Sequence, residues 1–138
     1  MSDEETYKGQ HEAPDAQSGV PMHDMTGSGM MPSDFYQNMH QYALSGEPTE
    51  QEAMGHISRV RGNPKAGVRI YRAIPKSMPR GTKINPGDWV TPVRQYASEH
   101  GRSHLGNQFR IVEGIARARH LFNEGNDLHE WGWHPDKD

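Results

Sequence analysis

The order of patterns along the chain predicts an α+β fold with a small, mostly antiparallel sheet. Three observations carry this. Two segments with helical apolar spacing come first, at 32–44 and 49–62. Strand-like segments dominate afterwards, at 68–74, 88–91, 109–116 and 127–133. One helical pattern, 92–101, interrupts them without establishing a regular βαβ alternation.

The chain has 138 residues, enough for one domain with a modest core. Its hydrophobic content of 32% is low, which predicts that some of the length is unpacked. Residues 1–30 carry six acids against Lys8 and mix Gly, Ser, Pro and Met without period, which predicts a mobile N-terminal arm. Residues 31–138 are then one domain, with a helical part near 33–62 and a strand-rich part near 66–134. The folded part balances near +2, which suits an anionic small molecule better than a polyanion. Without cysteine there is no disulfide scaffold, thiolate nucleophile or Cys-ligated metal. No apolar run approaches the ~20 residues of a membrane span, so no membrane partner is expected.

In the first helical segment, "PSDFYQNMHQYAL", Ser33 or Asp34 can cap and Phe35, Met39 and Tyr42 make an apolar stripe. In the second, Thr49 with Glu52 matches a capping box, and Ala53, Ile57 and Val60 form the inner face. In the third, Thr91 is the expected cap, Pro92 the first helical residue and Gly101 the stop. Residues 102–108 are then a polar loop.

The strand "VRIYRAIP" puts Val68, Ile70, Arg72 and Ile74 on one face. A guanidinium on that apolar face needs a carboxylate, a run of carbonyls or an anionic ligand. Glu130, in "NDLHEWGWHP", is the second anomalous charge: as a strand, Leu128, Glu130 and Gly132 share a face beside tryptophans. It is either the ion-pair partner of Arg72 or a second member of one ligand cleft. The hydroxyl of Thr91 sits where a strand becomes a helix, as a cap or as a ligand-orienting group.

Nine histidines invite a metal, but their spacing argues against one: His100 and His104 are separated by Gly101, and no HExxH occurs. P-loop, GxGxxG and GxSxG patterns are absent. No metal is expected.

In order, an aromatic-Arg pair, a hydroxyl at a strand end before a helix, and a late Glu resemble the Arg-Ser-Glu type of ADP-ribosyltransferase. More closely, "IYRAIPK…INPGDWVTPVRQYASEHG…HLFNEGNDLHEWGW" looks like the small transferase-like domains of phage and mobile-element polyvalent proteins, over roughly half the chain. The resemblance implies a split, mostly antiparallel sheet and NAD as substrate. It implies that Arg72 holds the NAD phosphate and ribose, that Thr91 is the first hydroxyl of the Ser-Thr-Ser motif, and that Glu130 is the catalytic glutamate. Pro92 and Val93 depart from the rest of that motif, and Leu128 stands where arginine-modifying members carry an acid or amide. By the same resemblance Tyr71 and Ala73 would flank Arg72 at the cofactor, and Tyr96 or Trp89 would wall the nicotinamide ring. The resemblance further implies an unidentified host protein or nucleic-acid acceptor in the bacterial host cytoplasm. The alternative is a degenerate domain of the same fold that serves as a virion or accessory binding protein.

Overall fold

A computed structural model describes residues 13–125 and 127–135, and shows a small α+β fold with two α-helices and antiparallel sheets. Strand β1 is Val20–Pro21, helix α1 Pro48–Arg59, β2 Gly67–Pro75 and β3 Trp89–Val90. Helix α2 spans Arg94–Leu105, followed by β4 Phe109–Arg117, β5 Leu121–Asn123 and β6 Trp131–Trp133. One sheet runs β1-β5-β6-β3, and β2 and β4 form a second, two-stranded sheet. The two meet at an antiparallel bridge between Tyr71 and Thr91, whose backbones exchange hydrogen bonds of 2.8 and 3.0 Å. Among the described residues no helix is long and apolar enough to cross a membrane.

Alternation along β2 works as its sequence predicts: Val68, Ile70 and Ile74 are buried while Arg69 is exposed. Ala53 and Ile57 likewise lie on the fully buried face of α1, and Val60, its C-cap, is fully buried beside them. Its capping differs from the expected box. Glu47 is the N-cap and Pro48 the first helical residue, Glu52 instead approaches His56, and Thr49 turns inward to His129.

The segment 32–44 is not an α-helix. It is a series of turns ending in a 3-10 turn at Met39–Tyr42. The carboxylate of Asp34 accepts hydrogen bonds from Asn38 Nδ2 and the Tyr42 hydroxyl, so short-range side-chain bonding competes with helical geometry. The apolar stripe survives the change: Phe35 and Met39 are buried, and Tyr42 packs against the core.

Residues 13–30, expected to be a mobile arm, are built into the fold; residues 1–12 lie outside the described residues. Strand β1 pairs with β5, and Val20, Met22 and Met25 join the same core cluster as Ile57 and Trp131. Flexible apolar methionines fill this interior where a sequence without period gave no strand signal. The chain also crosses Gly132 so closely that an added Cβ would lie 2.0 Å from the Pro14 carbonyl oxygen, which requires glycine there.

The expected strand 127–133 shortens to β6, because residues 127–130 form a turn closed by the Glu130 amide on the Asp127 carbonyl. Leu128, His129 and Trp131 are all buried, so the two-faced alternation read there does not hold.

Candidate functional site

The site forms where the two sheets part. β2 touches the other sheet at the Tyr71–Thr91 bridge, and α2 lies across the opening. The resulting cleft is lined by residues of β2, β3, α2 and the turn before β6. Its lining includes every residue expected at the site: Tyr71, Arg72, Ala73, Trp89, Thr91, Tyr96 and Glu130.

Arg72 is held by the segment entering β3. Its Nη1 donates to the Trp89 carbonyl at 2.9 Å, and its Nε lies 3.6 Å from Asp88 Oδ2. Asp88 is itself fixed, since its Oδ2 accepts the Asn85 amide at 2.8 Å. The charge on the apolar face of β2 therefore meets both a carboxylate and a carbonyl. That carboxylate is Asp88, from the "NPGD" turn, rather than Glu130.

Thr91 is buried, and its Oγ1 accepts the Val93 amide at 3.1 Å. It closes a turn before α2 and does not cap the helix: Val93 is the N-cap and Arg94 the first helical residue.

Helix α2 continues through Gly101 to Leu105, absorbing most of the expected loop 102–108. Gly101 is a packing site, not a stop. A Cβ there would lie 2.6 Å from the Phe109 ring and 2.8 Å from the Ala73 Cβ, so glycine lets α2 press onto β2 and β4. The stop is Gly106, with φ of 61°. Because the helix is continuous, His100 and His104 stand one turn apart with ring centroids 4.2 Å apart, and both line the cleft. Sequence reasoning missed them by treating Gly101 as a breaker, although their i, i+4 spacing carried the signal.

Glu130 is positioned by a turn with its own scaffold. Asn123, fully buried, donates from Nδ2 to the carbonyls of Asp127 (2.7 Å) and Glu130 (3.1 Å), and its Oδ1 accepts the Gly125 amide. Within the turn, Asp127 Oδ1 accepts from the backbone amide and Nδ1 of His129, both at 2.9 Å. His129 Nε2 lies 3.0 Å from Thr49 Oγ1. The Tyr96 ring stacks on His129, and its hydroxyl bonds to Glu130.

Burial pushes the Glu130 carboxyl up from its ordinary value, and the nearby Asp127 charge adds to this; Tyr96, His129 and His104 oppose it without prevailing. Burial would raise Asp127 as well, but its bonds from His129 hold it below the ordinary carboxylate range. Burial would lower His129, yet Asp127 keeps it raised. His100 is lowered, first by burial and then by His104 and Arg72, with Asp127 opposing. Two acids three residues apart are thus driven in opposite directions, Asp127 toward the charged form and Glu130 toward the neutral one.

Among the described residues no group of three or more His, Cys, Asp or Glu side chains could hold a metal ion. No protein-family profile, curated protein or solved structure matches the chain.

Proposed function

We propose that this protein is an NAD-dependent mono-ADP-ribosyltransferase of phage or mobile-element origin that modifies a host macromolecule. The observation that carries the proposal is the convergence of Arg72, from β2, and Glu130, from the turn before β6, on one cleft with aromatic walls. NAD, as substrate, supplies a nicotinamide leaving group on a ribose carbon that becomes cationic as the bond weakens. A carboxylate at Glu130 opposes that positive charge in a site short of water, where preorganised electrostatics act strongly. Arg72, already oriented by Asp88 and Trp89, presents its guanidinium to the diphosphate. Trp89 is the better nicotinamide wall, because His129 covers one face of Tyr96. Water as acceptor would make the same site an NAD glycohydrolase.

The competing reading is a binding protein of the same fold, acting in a virion or as an accessory factor. It is favoured by Thr91, whose hydroxyl already serves the Val93 amide. Incubation with labelled NAD, alone and with bacterial lysate, separates the two. Free nicotinamide or label on a macromolecule supports the enzyme, and NAD binding without turnover supports the binding protein. Absence of both binding and turnover overturns the proposal.

A further inference from the structure

His100 and His104 bring two titratable rings to the cleft wall that also carries Arg72. Helix α2 stacks them 4.2 Å apart, and the close packing at Gly101 fixes that wall against β2 and β4. His104 Nδ1 lies 3.0 Å from the His100 carbonyl. A carbonyl only accepts, so Nδ1 carries the hydrogen and Nε2 is the ring's basic nitrogen. Protonated, each ring becomes a charged donor, of the kind that binds phosphate oxygens well. We propose that His100 and His104 form, beside Arg72, an anion subsite that binds the diphosphate of the cleft's ligand more tightly as pH falls.

The charges around the pair are consistent with that role. Arg72 faces His100 from β2 and His104 faces it from its own helix, so His100 lies beside a fixed positive charge and a second imidazole. Asp127 faces His100 from the turn before β6, and Glu130 in the same turn interacts with His104. Tyr96, one turn earlier on α2, stacks on the His100 ring. Burial first, and then His104 and Arg72, disfavour protonation of His100 in the empty cleft. A bound diphosphate reverses the balance by adding negative charge, so ligand binding and proton uptake are linked.

The inference rests on the dinucleotide reading of the cleft, and two probes separate them. ADP-ribose and inorganic pyrophosphate are titrated by calorimetry at about pH 8 and about pH 5.5, across the range where histidine charges. ADP-ribose affinity is expected to rise roughly tenfold on acidification, the scale of one added charged hydrogen bond, with proton uptake visible as buffer-dependent heat. His104→Gln, at an exposed position that preserves folding, is expected to remove most of the rise, and His100→Gln the remainder. Imidazole shifts of both rings on adding pyrophosphate give a readout that needs no variant. Equal ADP-ribose affinity at both pH values, unchanged by His104→Gln, overturns the subsite and leaves the dinucleotide reading standing. Pyrophosphate binding that depends on His104, with no ADP-ribose binding, upholds the subsite and overturns the dinucleotide reading. No binding of either probe overturns both.

Discussion

The Tyr96 ring lies flat on the imidazole of His129, with centroids 4.3 Å apart and planes 9° from parallel. His129 is a firm base for it, held by Asp127 on Nδ1 and by Thr49 on Nε2. The Tyr96 hydroxyl reaches Glu130. A half-buried aromatic thus connects the first turn of α1 to the carboxylate at the cleft, and its orientation is set by groups that need not touch substrate.

Tyr96→Phe isolates the hydroxyl from the ring. Stacking on His129 survives, so melting temperature should change little. The bond that favours ionised Glu130 is lost, so its carboxyl should move further above the ordinary value. In a pH–rate profile the acidic limb is expected to shift to higher pH, with a plateau near wild type. An unmoved limb, or one shifted to lower pH, would show that the hydroxyl does not act on Glu130.

Glu130→Gln should separate activity from stability. NAD cleavage is expected to fall by about 10²-fold or more, the scale of losing one key electrostatic stabiliser. The raised folded-state value means the fold prefers the neutral group. Stability from Glu130 is present below its unfolded value and lost as pH rises through the folded one. At neutral pH the amide should therefore leave melting temperature unchanged or raise it. A clear fall would mark Glu130 as structural, and unchanged turnover would remove its catalytic role.

Glu50 behaves in the opposite way. It is fully buried, and its carboxylate accepts the amides of Leu44, Ser45 and Gly46 at 2.7, 2.9 and 2.7 Å. Burial alone would raise its carboxyl, but these donors outweigh it and hold the group below its ordinary value. Its stabilisation is present above the unfolded value and lost as pH falls through the folded one. Glu50→Gln turns an amide N–H₂ toward backbone donors and should destabilise by about 2–4 kcal/mol, the scale of one or two orphaned buried groups. Chemical denaturation at neutral pH measures it, and the difference from wild type should narrow in acid.

Met25→Ala tests whether the N-terminal third belongs to the core. Met25 is fully buried, and its amide donates to the Tyr36 hydroxyl at 2.9 Å. Truncation should destabilise by about 2–4 kcal/mol, as for other buried methionines. A change below ~0.5 kcal/mol, the usual surface value, would return the segment to the status of an arm.

What the sequence made legible was local, and what it hid was tertiary. The β2 pattern announced both a buried face and its misplaced arginine, and the inner face of α1 followed from periodicity. Gly101 was misread because its reason, the ring of Phe109 and the Cβ of Ala73, lies across the fold. With the helix cut there, His100 and His104 were lost from the site. Asp127 and Asn123 were missed because a turn organised by one buried amide has no period. β1 was invisible for the same reason: two residues gain their strand geometry only from β5.

Arginine is expected to be a poor acceptor, and the turn at 127–130 supplies the reason. A guanidinium acceptor must be oriented by an acid or amide, since its pKa is too high for ordinary deprotonation. On a regular strand, residue 128 would share a face with Glu130 and fill that role. Here 127–130 is a turn, and Leu128 is 3% exposed and part of the core. Asp127 is the neighbouring acid, but its Oδ1 already accepts two hydrogen bonds from His129. Recruiting Asp127 to an incoming guanidinium would weaken the base beneath Tyr96, and with it the support of Glu130. Agmatine, a small arginine mimic, is therefore expected to be a poor acceptor beside water or a carboxylate in the labelled-NAD reaction. Installing an acid by Leu128→Glu should not rescue it, because an unpaired charge in the core unfolds the site instead. Efficient labelling of agmatine by the wild-type protein, abolished by Asp127→Asn with His129 still stacked on Tyr96, would show that Asp127 aligns the acceptor after all.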